Sequence, residues 1–290
     1  MTSLGAVFRP QNPPELLREV VHVADSTGLE QLWLWEDCFD EGGVSTAAAA
    51  LAWSERVRIG VGVLPVPLRN VAITAMEIAT LERMFPGRAI WGVGHGVQWW
   101  MGQVGAQVGS PITLLREYVD ALRNLLAGQR VTVQGRYIRL DDVALGWPPA
   151  AAPPVIGAAT GPRTLQLVGE VADGVILMSG TPLADMPRIV ELVEKGRAAG
   201  EYRGEFSFVV QLLTATGPDA TDRVTTELRR MGHDTIDGLS AVGDAHAVAD
   251  AVARWVQAGA DTVILEPTPD EPDPAGFVRF AGEQVRPLIA

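Results

Sequence analysis

The amino-acid sequence predicts a (β/α)8 barrel of the TIM type. Short apolar runs alternate with longer segments of helical period, the pattern of βα units around a parallel sheet, and eight such units can be counted. The chain has 290 residues, long for an ordinary domain but normal for a barrel, which runs to roughly 250 residues as one unit. It is 47% hydrophobic, yet no run approaches the ~18 apolar residues of a membrane span. The apolar content is divided among short buried strands.

The first strand is Ser3–Phe8. Its helix follows Pro13–Pro14, with Leu16, Leu17, Val20, Val21 and Ala24 facing inward and Gly28 as the stop signal. Strand two, Gln31–Trp35, precedes an alanine-rich helix, Ser45–Ser54. Strand three, Arg58–Val63, precedes the helix Val71–Met84, closed by Pro86–Gly87. Strand four, Ala89–Val93, opens into a glycine-rich loop, His95–Ser110, before the helix Ile112–Leu126. Val131–Leu140 reads as a hairpin around Gln134–Gly135, inserted between helix four and strand five. The remaining strands are Val155–Ala159, Gly174–Ser179, Phe206–Thr214 and Asp261–Glu266. Their helices are Arg163–Val171, Leu183–Ala199, the pair Ala220–Met231 and Ala245–Gln257, and a last one near Pro274–Val285. No linker is long enough to divide the chain, so one domain over residues 1–290 is expected.

The formal net charge of −12 disfavours generic binding to nucleic acid or anionic membrane. The one cysteine, Cys38, cannot form an intramolecular disulfide, and the first residues lack the pattern of a signal peptide, so a cytoplasmic protein is expected. No His/Cys/carboxylate motif predicts a metal.

In a barrel, chemistry sits at the C-terminal ends of the strands. Four segments there stand out. RIGVGVLPVPLRN (58–70) carries Gly60 and Gly62 inside a β-branched run, the mark of a bulge or of backbone approaching a ligand. GVGHGVQWW (92–100) is a glycine loop with adjacent tryptophans; its spacing is not the dinucleotide fingerprint. IGAATGPR (156–163) is a strand, small residues and a helix start, where free N–H groups and Arg163 suit a phosphate, or simply a tight turn. WEDC (35–38) places Glu36 and Asp37 at a strand end, where alternation sends one of them into the mouth for acid–base work, or makes it an ion-pair member. Of the four histidines only His95 falls in such a segment.

Taken together these segments resemble the luciferase-like monooxygenase superfamily, in its coenzyme F420-dependent branch of methylenetetrahydromethanopterin reductase-like oxidoreductases. RIGVGV, ITAMEIATLERMFPGRAIWGVGHG and VIGAATGPRTLQLVGEVADGVIL carry the resemblance, which runs over essentially the whole chain. It implies a luciferase-like TIM barrel, a non-prolyl cis peptide at Gly62–Val63 behind the cofactor ring, and the cofactor phosphate at Ala159, Thr160, Gly161, Pro162 and Arg163. Asp37, Cys38, Gly94, His95 and Gly96 would line the rest of the cofactor site; Trp35, Gln98, Trp99 and Trp100 would wall the substrate side. The family's histidine after strand two is Cys38 here, which leaves Asp37, His95 and Glu36 as catalytic candidates. The resemblance also implies a homodimer acting on a small molecule with F420. Two alternatives stand beside it: an FMN-dependent monooxygenase, and a non-catalytic F420-binding protein.

Overall fold

Among the described residues eleven strands form in chain order: β1 Ser3–Phe8, β2 Gln31–Leu34, β3 Arg58–Pro65, β4 Ala89–Gly94, β5 Val131–Gln134, β6 Arg139–Val143, β7 Val155–Ala158, β8 Gly174–Leu177, β9 Ser207–Ala215, β10 Ser240–Val242 and β11 Thr262–Pro267. This computed structural model describes residues 2–200 and 204–289. Eight of the strands pair in parallel in the order β9-β11-β1-β2-β3-β4-β7-β8, and β8 pairs with β9 to close the barrel. The hairpin β5–β6 stands apart, antiparallel, as expected.

Among the described residues ten α-helices surround the barrel: α1 Leu17–Thr27, α2 Gly43–Ala52, α3 Val71–Met84, α4 Gln98–Gln103, α5 Pro111–Leu126, α6 Pro162–Val171, α7 Met186–Ala199, α8 Ala220–Arg230, α9 Ala245–Gln257 and α10 Pro274–Arg279. Their starts follow from local chemistry: the Asn70, Ser110, Asp244 and Asp273 side chains accept from first-turn N–H groups of α3, α5, α9 and α10. Gly28, in the left-handed region at φ 76°, ends α1.

Four expectations are corrected. Leu16 lies in a 3-10 turn and is exposed, because α1 begins only at Leu17. The loop after β4 contains the short helix α4, which packs Met101 under Gly96. The segment between α8 and α9 carries β10, three residues that pair with the upper part of β9 beyond the end of β8. The last helix changes to a π-helix at Phe280–Val285.

Apart from a small cluster of Leu213, Val224 and Leu228 between β9 and α8, two apolar cores result. The larger lies between barrel and helices, and includes Leu32, Ile59, Ile78, Leu122 and Val252. The smaller fills the barrel, with Val7, Trp33, Trp35, Ile90, Ile156, Ile176, Val209 and Ile264. Trp33 explains the glycines of β3: a Cβ on Gly60 would lie 2.4 Å from its indole, and one on Gly62 3.0 Å. Those glycines therefore admit a buried indole on the barrel side of β3.

Helix α6, which opens with the Thr160–Pro162 turn, is held by close backbone contact with α7. A Cβ on Gly196 would lie 1.9 Å from the Gln166 carbonyl oxygen, and one on Gly169 would lie 2.2 Å from that of Val193.

Candidate active site at the C-terminal mouth of the barrel

The bulge in β3 shapes the mouth. Val61 pairs with Trp91 and Leu64 with Val93, so β3 spends one residue more than β4 over this stretch. The extra residue falls at Gly62–Val63, and that peptide is cis, as the resemblance implied. A second cis peptide joins Cys38 and Phe39. The bulge aims Val63 over β4, where a Cβ on Gly92 or Gly94 would come within 2.8 Å of its methyl groups. Val63, Ala158 and Met178 then pack, half-buried, on top of the barrel core. They make an apolar floor facing the mouth.

Polar groups ring this floor. The first intrahelical bond of α6 runs from Leu165 N–H to the Gly161 carbonyl. The N–H groups of Arg163 and Thr164 thus precede any helical acceptor and point outward from the turn. Beside it lies a cavity of about 270 Å3 lined by Thr160, Pro162, Ser179, Thr181, Asp185 and Arg188. His95 meets Thr164 Oγ1 through Nε2 at 3.2 Å. The Pro111 carbonyl faces the imidazole, but Nδ1 is buried with no hydrogen bond of good geometry. Burial holds the imidazole below its ordinary pKa, hence neutral near pH 7. Gln211 projects from β9 with both amide atoms buried and unpartnered, its Nε2 3.7 Å from where a Gly62 Cβ would stand.

Alternation along β2 separates its two carboxylates. Glu36 turns outward: its oxygens accept from Arg69 Nε at 2.7 Å and NH2 at 2.5 Å, and from the Gly43 N–H at 2.8 Å. It ties α2 to the loop after β3, so its place among the catalytic candidates is corrected to a structural one. Asp37 points to the mouth, half-buried. Burial raises its pKa, the nearby Arg9 guanidinium opposes this, and Asp40 adds to it. Cys38 follows, its thiol pushed up by burial and by Glu36, Asp37 and Asp40; it is no thiolate nucleophile at neutral pH.

The largest polar assembly was not singled out from sequence. Arg9 donates to Glu266 Oε1 at 2.8 Å and to the Pro267 carbonyl at 3.1 Å, and stacks 5.0 Å above the Trp35 ring. Ser179 donates to the other Glu266 oxygen, and Glu227 of α8 lies 3.8 Å from Arg9. Burial raises the Glu266 pKa, and Arg9 lowers it. Trp35 is thereby covered, with Nε1 unpartnered, and is not the open substrate wall expected of it. Trp99 is exposed, while Gln98 and Trp100 are half-buried; Gln98 donates to the His95 and Gly96 carbonyls. Helix α8 ends in paired bonds from Gly232 N–H to Arg229 and from His233 N–H to Leu228. This turn sets His233 against Gly180 at the end of β8, where Gly180, at φ 85°, leaves room for the ring. His233, which lies outside the strand-end segments in sequence, thus reaches the mouth.

Glu41, beyond Asp37, has its pKa raised to about 7 by burial and by Asp40 and Glu15. Its folded value lies above its unfolded one, so it destabilises when ionised: stability falls as pH rises from about 4.5 through about 7. Glu41→Gln is expected to stabilise the protein at pH 8 by roughly 1 kcal/mol, discounted for its partial exposure, and to change little at pH 4. Denaturant melts at the two pH values check this.

The family model for luciferase-like monooxygenases matches residues 3–231. A 5,10-methylenetetrahydromethanopterin reductase of Methanolobus tindarius is 31% identical over 198 residues, 68% of this chain and 59% of that protein. An F420-dependent glucose-6-phosphate dehydrogenase of Kineococcus radiotolerans is 27% identical over 298 residues, 93% of this chain and 87% of that one. Among solved structures, an F420-dependent secondary alcohol dehydrogenase in complex with an F420-acetone adduct superposes with a TM-score of 0.88 at 21% identity, covering 100% of this chain and 99% of that one. The chain belongs to the luciferase-like monooxygenase family. It spans about 59% of the length of the Methanolobus relative. Among the described residues no helix is long and apolar enough to cross a membrane, and no cluster of side chains could hold a metal ion.

Proposed function

We propose that this chain is an F420-dependent oxidoreductase that transfers hydride between the deazaflavin C5 and a small organic substrate. The observation that carries the reading is the bulge at Gly62–Val63, which sets Val63 beside Ala158 and Met178 as an apolar floor at the mouth. The residues present fit such a cofactor. A flat ring matches the floor, and the buried, unpartnered Gln211 amide beside Gly62 offers hydrogen bonds to it. The turn Ala159–Arg163, with Arg163 and the first N–H groups of α6, suits a phosphate. When bound, the deazaflavin supplies the hydride chemistry. The chain's own residues bind its anionic tail, keep the floor dry, and hold a proton at the Asp37 carboxyl, whose raised pKa suits a donor. Gly94 ends β4 and Gly96 follows it at the same rim, where Cys38 borders Asp37.

Titration of the purified protein with F420 and with FMN, followed by fluorescence, tests the reading. Saturable F420 binding tighter than FMN supports it; FMN binding alone, with oxygen consumption, would transfer the assignment to a flavin monooxygenase. Failure of both with an intact fold would reject it. Cys38, standing where the family has histidine, keeps a non-catalytic F420 carrier as the second reading. That reading predicts tight binding without turnover over a broad acceptor panel. Arg163→Ala is expected to weaken F420 binding about tenfold, the worth of one charge-assisted hydrogen bond. We also infer a single-domain cytoplasmic homodimer. Ile73, Met76 and Met84 are exposed on α3 and supply an apolar face for it; light scattering measures the mass.

A further inference from the structure

We propose that the substrate at this site is an uncharged molecule with an apolar ring or chain, and not a phosphate ester. The proposal rests on the F420 reading above and adds the class of acceptor. Three observations carry it.

The first is how charge is divided around the mouth. Arg163 opens α6 in the turn proposed for the cofactor phosphate, and Arg188 lines the cavity next to that turn together with Asp185. Across the mouth, the loops after β1 and β2 carry Glu15, Asp37, Asp40 and Glu41. Glu41 has one oxygen buried without a partner. An anion is drawn to one side and repelled from the other.

The second is that the cations on the β1–β11 side are already matched. Arg9 pairs with Glu266 at 2.8 Å, Arg223 with Glu271 at 2.8 Å, and Arg230 with Glu227 at 2.7 Å. Turning Arg9 toward a substrate phosphate would leave Glu266, 1% exposed, without its counter-charge, a loss that phosphate contact in a wet cleft does not offset.

The third is the apolar surface flanking the bulge. Phe39 is 62% exposed on the loop after β2, and Trp99 is 65% exposed on the loop after β4, the strands on either side of β3. Large aromatic side chains so placed are suited to covering an apolar substrate.

For a C=O acceptor, bound reduced F420 would supply the hydride that forms the C–H bond; the Asp37 carboxyl would give the proton that forms the O–H bond and would be reprotonated from solvent.

The test uses the whole protein with F420 bound, loading being confirmed first by fluorescence, so that failure of the cofactor reading is recognised separately. Calorimetric binding to the protein loaded with oxidised F420 is then measured for 2-cyclohexen-1-one and for glucose 6-phosphate. Turnover is followed with reduced F420 for the first and oxidised F420 for the second. The expected result is binding and reduction of cyclohexenone, with no binding or oxidation of glucose 6-phosphate. Phe39→Ala and Trp99→Ala should each raise the cyclohexenone Kd about tenfold while leaving F420 binding unchanged. Binding of glucose 6-phosphate, binding of neither compound, or unchanged cyclohexenone affinity in both variants would overturn the proposal.

Discussion

Asp37→Asn is expected to lower kcat by about 10^2- to 10^4-fold, the usual contribution of a positioned general acid, while F420 binding changes little. Asn keeps the shape and loses the transferable proton. The side chain is half-buried at the mouth, facing Arg9 and close enough to Glu266 for their charges to interact. Burial raises its pKa, so the reactive protonated form survives to higher pH than in an exposed aspartate. The wild-type rate of the reductive reaction should therefore fall as pH rises through the Asp37 pKa, and this limb should vanish in Asp37→Asn. Steady-state rates against pH, with F420 affinity measured in parallel, check both statements. Persistence of the limb in the variant would move the donor elsewhere, and His233, set against Gly180 at the same mouth, is the next residue to replace.

Gly196→Ala is expected to destabilise the fold by about 3 kcal/mol or more, the upper range for forcing atoms into a packed interior. The added methyl would meet the backbone oxygen of Gln166 at 1.9 Å, and backbone cannot rotate aside as a flexible side chain can. Relief requires α7 to move away from α6. Because α6 begins at Pro162, inside the turn assigned to the phosphate, the same variant should bind F420 more weakly even where it remains folded. Denaturant unfolding gives the first effect, and titration at low temperature gives the second. A neutral result would mean that the two helices do not cross as closely as described.

Much of the fold was legible because strand and helix periods differ. Helices α3, α5, α6, α8 and α9 fall within two residues of the boundaries expected from apolar spacing and capping residues. The short elements were not. Helix α4 lies in a glycine-rich loop whose composition argues against a helix, and β10 is too short to show alternation. Within the site, the phosphate turn and the bulge were marked by glycine and proline, whose backbone preferences are local. Arg9 and Glu266 were missed although their signal was present. Counting by twos from Val7 and Ile264, both inside the barrel, sends Arg9 and Glu266 inward as charged residues at the mouth. Trp35 misled because an aromatic residue at a strand end reads as a ligand wall; only the tertiary position of Arg9 shows it covered. His233 could not be placed from sequence, since its approach to Gly180 depends on where α8 ends relative to β8.

Fluorescence titration of the unmodified protein with F420, with FMN as competitor, tests most directly whether the floor formed by Val63, Ala158 and Met178 holds a deazaflavin. Saturable one-to-one F420 binding that FMN displaces poorly and that Arg163→Ala weakens is the expected result. An intact protein that takes up no F420 would contradict it.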